Sequence, residues 1–197
     1  MNTSTGLRER KKAATRQALH ETAVRLAVER GLEHVTVEAI ADAVDLSRRT
    51  FSNYFDGKED AVLYGYAQRL RTLLDLLRAR PAEESAWTAL RQAFSALYPR
   101  LGESSPQWLA EIQLMRAHPT LRARQLTALA QFERDLAGAV AERLGDQPTD
   151  PMRARVMAAT FLTGVRLATQ LWLDDLHHRP LSDLADDVFD QISAQFR

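Results

Sequence analysis

Apolar residues recur along this chain at spacings of three and four, the period of a helix packed on one side. Leu19, Ala23, Leu26 and Ala27 lie on one face of a first helix from about Leu7 to Arg30, with Gly31 as its natural stop. Residues 1–6 read as a tail. Thr36 is placed to cap a second helix carrying Val37, Ile40, Ala41 and Val44. After a break at Asp45-Leu46, Ser47 caps a short third helix ending near Tyr54 or Phe55. Asp56 and Glu59 form a capping-box-like start to a fourth helix that runs from Lys58 to about Arg80 and stops at Pro81. Longer amphipathic helices follow near 83–101, 106–117, 120–144, 151–177 and 182–196. Pro106, Pro119 and Pro151 occupy first-turn positions, Gly145-Asp146-Gln147-Pro148 forms a loop, and Ser182 caps the last helix.

Composition agrees with this pattern. Ala (30), Leu (28) and Arg (23), all strong helix formers, make up 81 of the 197 residues, whereas Val and Ile together number only 13. The fold class is therefore all-α, with about nine helices. Cysteine is absent, which excludes disulfides, thiolate metal sites and cysteine nucleophiles. The longest stretch without Asp, Glu, Lys or Arg is Val156–Val165, too short to cross a bilayer, and residues 1–30 carry no apolar signal core. A cytoplasmic protein without a membrane partner is expected.

Formal charge is zero, with 26 basic and 26 acidic residues, so a uniformly basic nucleic-acid coat is excluded. The average conceals an asymmetry. Residues 1–58 hold ten basic and eight acidic groups, a net of +2, and residues 59–197 hold sixteen and eighteen, a net of −2. The segments 7–16 and 46–54 together carry seven basic residues and one acid.

Those segments point to chemistry. In Thr36–Phe55 two short helices are separated by a tight turn, and Val37, Ile40, Ala41, Val44, Leu46, Phe51 and Phe55 would pack the pair onto the first helix. Outside that core the third helix presents Arg48, Arg49, Thr50, Ser52, Asn53 and Tyr54, all hydrogen-bonding residues and none acidic. A helix entering a DNA major groove needs such a face. Arg8, Lys11 and Lys12 on the first helix, and Lys58 at the start of the fourth, would hold phosphates while the third helix reads bases.

The pattern Thr-x-x-x-Ile-Ala … Ser-x-x-Thr-Phe-x-x-Tyr-Phe-x-x-Lys, carried by Thr36–Ala41, Leu46–Phe51, Asn53–Phe55 and Lys58-Glu59, resembles the N-terminal domain of the tetracycline-repressor (TetR) family of bacterial transcriptional regulators. The resemblance covers residues 13–63. It implies a DNA-binding domain at 1–57 and a ligand-binding and dimerising domain at 58–197. Thr36 and Lys58 match phosphate contacts; Arg48, Arg49, Thr50 and Ser52 match base-facing positions; Asn53 and Tyr54 match backbone contacts; Ser47 belongs to the same interface. The family usually has Gly where this chain has Asp45, at a position that often takes positive φ. Arg10-Lys11-Lys12, Arg48–Phe51 and Lys58-Glu59-Asp60 also look like a subgroup resembling the mycofactocin-system regulator, whose ligands are fatty acyl-CoA esters.

The resemblance further implies that the last two helices pair with those of a second subunit. Leu171, Trp172, Leu184, Val188, Phe189 and Ile192 are the candidate dimer contacts, with an intrachain core as the alternative. Walls of an apolar ligand pocket could come from Trp87, Phe94, Tyr98, Trp108, Ile112, Met115, Phe132 and Phe161, with Arg166 meeting an acidic group. The expected partners are palindromic double-stranded operator DNA, a second copy of the chain and a hydrophobic small-molecule effector. No cofactor or metal is expected. A regulator without a small-molecule ligand is one alternative. A helical-bundle enzyme is another, with thin candidates: His20, His34, His118, His177 and His178 form no catalytic or metal-binding spacing.

Overall fold

The computed structural model describes residues 3–101, 106–144, 151–174 and 179–193, and these are helical with short connections. The helices are α1 (Thr3–Arg30), α2 (Val37–Asp42), α3 (Arg48–Ser52), α4 (Lys58–Arg78), α5 (Ala86–Leu101), α6 (Pro106–Ala117), α7 (Pro119–Leu144), α8 (Pro151–Asp174) and α9 (Leu181–Ser193). Pro106, Pro119 and Pro151 each open a helix, where a missing N–H costs no intrahelical bond.

Several boundaries differ from the sequence reading, among them the start of α5, at Ala86 rather than near 83. α1 begins at Thr3, so residues 3–6 are helical rather than a tail. A single 3₁₀ turn, Leu32–His34, follows Gly31, whose φ of 82° suits a residue without a Cβ. α9 starts at Leu181, and the Ser182 hydroxyl donates to Asp183 instead of capping the helix. The loop at 145–148 lies outside the described residues.

The chain divides into two compact units, Met1–Gln68 with Ser104–Leu126, and Arg69–Glu103 with Thr127–Arg197. In the first, Leu19, Ala23, Leu26 and Ala27 of α1 are buried with Ile40, Ala41, Phe51 and Phe55, while Val37, Val44 and Leu46 are half-buried. This packing seats the α2–turn–α3 pair on α1. In the second, Trp87, Phe94, Phe161 and Phe189 form one aromatic cluster, with Phe161 and Phe189 stacked at 5.1 Å and Trp87 and Phe94 each edge-on to both at 5.6–6.3 Å.

The turn between α2 and α3 is a Schellman arrangement. Leu46 N–H donates to the Ala41 carbonyl (2.9 Å) and Asp45 N–H to that of Asp42 (3.1 Å). The motif requires a left-handed residue at position 45, and Asp45 adopts φ 55°, the only non-glycine residue with positive φ among those described. Asp45→Gly is expected to stabilise the protein by about 0.5–1 kcal/mol in urea denaturation, because glycine takes this conformation without strain. Loss of stability would mean that the Asp45 side chain supports the turn.

Candidate nucleic-acid interface

Two hydroxyls set the recognition unit. Thr36 Oγ1 accepts the Ala39 N–H at 3.1 Å and starts α2; Ser47 Oγ accepts the Thr50 N–H at 3.1 Å and starts α3. Each cap contributes about 1 kcal/mol. Ser47 Oγ also lies 2.9 Å from Thr50 Oγ1, and Ser52 donates to the Arg48 carbonyl at 3.2 Å. These side chains are engaged in holding α3, which together with the two residues after it presents Arg48, Arg49, Ser52 and Asn53 exposed and Thr50 and Tyr54 half-exposed.

The exposed first part of α1 runs beside this face. Leu7, Arg8, Glu9, Lys11, Lys12 and Thr15 on one side and Thr50, Asn53 and Tyr54 on the other bound an open groove of about 840 Å³. The structure thus brings the basic arm and the exposed end of α3 to one surface. Lys58 is placed differently. Its ammonium donates to the carbonyls of Leu32 and Val35, both at 2.8 Å, and so ties the first turn of α4 to the 3₁₀ turn. A phosphate would have to compete with two backbone acceptors for it.

Two residues act here in ways the sequence did not reveal. Arg16 donates to the Tyr54 carbonyl at 3.1 Å, and its guanidinium lies 5.6–6.0 Å from the ring centres of Tyr54, Phe55 and Tyr64. It clamps the end of the recognition unit. The available signal was register: Arg16 continues the buried Leu19–Ala23–Leu26 stripe of α1. The second is Glu38 of α2, whose Oε1 sits 2.8 Å from Arg48 Nη1. The acid-free face of α3 therefore acquires an acid from the preceding helix, which no local pattern in residues 46–54 reveals.

The other candidates are distributed as follows. Trp87, Phe94, Phe132 and Phe161 are buried in the second unit, whereas Trp108, Ile112 and Met115 are buried on α6 in the first. Arg166 is exposed, and the Tyr98 side chain lies outside the described residues. Trp172, Leu184, Val188 and Phe189 are buried within the chain, Ile192 is half-buried and Leu171 is exposed. Phe189 belongs to the aromatic cluster, so it serves the core of its own chain. The exposed apolar side chains of α8 are Met152, Val156, Leu167 and Leu171. α8 is long and apolar enough by length and composition to cross a membrane, although its longest uncharged run is short, and a third of its apolar stretch is buried inside the chain.

A capped two-helix unit seated on a third helix, with a donor-rich face beside a basic arm, defines a helix-turn-helix DNA-binding protein. Comparison with known proteins identifies the group. Residues 19–63 match the model described as bacterial regulatory proteins, tetR family, and residues 84–197 match the MftR C-terminal domain of that family. The HTH-type transcriptional regulator TcmR of Streptomyces glaucescens is 34% identical over 85% of this chain and 76% of its own. A Mycobacterium tuberculosis protein named as a mycofactocin biosynthesis transcriptional regulator, MftR, is 27% identical over 94% of this chain and 92% of its own. Among solved structures, the Thermus thermophilus repressor FadR, in complex with lauroyl-CoA, shares the fold at a TM-score of 0.58, with 24% identity, covering 89% of this chain and 91% of that one. The chain belongs to the TetR family of transcriptional regulators.

Proposed function

We propose that this regulator is a cytoplasmic homodimeric repressor, which a hydrophobic small molecule releases from a palindromic operator. The observation that carries the DNA half is the groove shared by the basic arm of α1 and the end of α3. Arg48, Arg49, Thr50 and Ser52 read bases; Thr36, Ser47, Asn53, Tyr54 and the arm residues Arg8, Lys11 and Lys12 hold the backbone. Lys58 supports the interface from behind through its carbonyl bonds. Two copies would set their recognition helices in major grooves about 34–36 Å apart, or at a multiple of that spacing.

The exposed apolar residues of α8, with Leu171 among them, support pairing through the last two helices. Trp172, Leu184, Val188 and Phe189 would back that surface from the core, and Ile192 would lie at its margin. Fatty acyl-CoA esters are the effector class to test first, because FadR carries lauroyl-CoA and the C-terminal domain matches that of MftR. The rings of Trp87, Phe94 and Phe161 are packed against Phe189, so an effector would favour a state in which they part. That packing also favours a second reading, a regulator without a small-molecule ligand.

The test is selection of bound duplexes from a random pool by the full-length protein, followed by titration with lauroyl-CoA. A palindromic consensus released by micromolar acyl-CoA is expected. Failure to select any sequence over random duplex would overturn the DNA reading, and release by no acyl-CoA would favour the second reading. On the selected site Arg49→Ala should lower discrimination against one base position by about 1–3 kcal/mol, whereas Lys12→Ala should weaken all duplexes alike and reduce the salt slope by about 0.9 per subunit. Equal loss on all sequences from both would contradict the assignment.

A further inference from the structure

Arg48 and Arg49 are adjacent, both exposed, and alike in sequence. The structure separates them. Arg48 Nη1 is 2.8 Å from Glu38 Oε1, and both side chains stay more than half exposed. Arg49 pairs with no acid among the described residues. Glu38 lies in the first turn of α2, two residues from the Thr36 cap, where the free N–H groups of the helix favour a carboxylate. That preference explains an acid in this turn but not its reach to the recognition helix. A carboxylate beside a DNA-facing arginine also works against phosphate attraction, so its presence there calls for a role in discrimination.

We propose that Glu38 is a specificity residue that acts through Arg48. In free protein it holds the guanidinium against α2 and so withholds one cation from indiscriminate attraction to phosphate. An exposed ion pair is weak, so a base edge or phosphate presented in the right register takes Arg48 over. Away from that register nothing does, and the pair stays closed. The two arginines then divide the work: Arg49 is always available, and Arg48 is released only on a matching site. This inference rests on the DNA-binding reading of α3 given above.

The experiment is a double-mutant cycle on the full-length protein with Glu38→Gln, Arg48→Ala and both together. Affinities are read for the wild-type selected site and for random duplex across a salt series. Glu38→Gln should raise affinity for random duplex by about threefold to tenfold and steepen its salt slope by about 0.9 per subunit, the contribution of one more phosphate contact. Affinity for the selected site should rise less, so the ratio between the two falls. In the Arg48→Ala background, Glu38→Gln should change neither ratio nor slope. If Glu38→Gln acts equally in both backgrounds, the carboxylate merely repels DNA and the proposal fails. If it moves only thermal stability, Glu38 is a helix-end charge and the proposal also fails. Should the wild-type protein select no duplex at all, the DNA reading falls first, and this inference with it.

Discussion

Glu111→Ala is expected to cost the fold about 3 kcal/mol, as for other buried polar pairs broken from one side. His20 and Glu111 are 1% and 3% exposed, and Nε2 of the imidazole lies 3.2 Å from Glu111 Oε1. The other ring nitrogen, Nδ1, is 2.8 Å from the Ala61 carbonyl. A carbonyl only accepts, so Nδ1 donates to Ala61 and Nε2 is the ring nitrogen that faces the Glu111 carboxyl group. Removing the carboxylate leaves Nε2 without that partner in a site closed to water. Glu111→Gln keeps a hydrogen-bonding group in place and should cost under about 1 kcal/mol. Urea denaturation of the three proteins decides the matter; near-wild-type stability for Glu111→Ala would show that the site admits water. Gly65 provides an independent check. A Cβ added there would lie 2.8 Å from both Glu111 carboxylate oxygens and from His20 Nε2, so Gly65→Ala should force the pair apart at about 1–3 kcal/mol.

Phe161→Ala should cost about 3–5 kcal/mol, the range for deleting a buried aromatic side chain. Phe161 is fully buried and touches Trp87, Phe94 and Phe189, so truncation opens a cavity on three sides at once. Phe161→Leu fills most of that space and should recover more than half of the loss. Denaturation midpoints measure both. A cost near 1 kcal/mol would mean that the cluster collapses onto the gap, which would also be the behaviour of a pocket able to open and close.

These two sites mark where sequence reading ends. Local rules carried well: Thr36 and Ser47 are the caps their positions suggested, Gly31 takes positive φ, and Asp45 occupies the left-handed position inferred for it. Each depends on residues within one helical turn. The His20–Glu111 pair joins residues 91 apart, and the ring contact between Phe161 and Phe189 depends on how α8 meets α9. Nothing in either local segment encodes these meetings. Apolar periodicity shows that a face is covered but not by what: Phe189 and Trp172, which the family resemblance offered as dimer contacts, are buried within their own chain. Charge shows the same limit. In the sequence Arg16 falls in the basic segment 7–16, Arg48 reads as base-facing and Lys58 as a phosphate contact, yet one is clamped among rings, one is held by Glu38, and one is bonded to carbonyls.

Lys58 has a counterpart at the far end of α4. There Arg143 of α7 donates to the Arg80 carbonyl at 3.2 Å and to that of Pro81, just beyond the last helical residue. α4 is thus fastened at each end by a cation gripping backbone oxygens. Its 21 residues make a strut of about 31 Å. Tilting such a strut by about 5° around one fastening carries the other by nearly 3 Å, about the length of the bonds that hold it. Each fastening therefore holds its own end of the helix only within about one bond length, beyond which the carbonyls lose their cation.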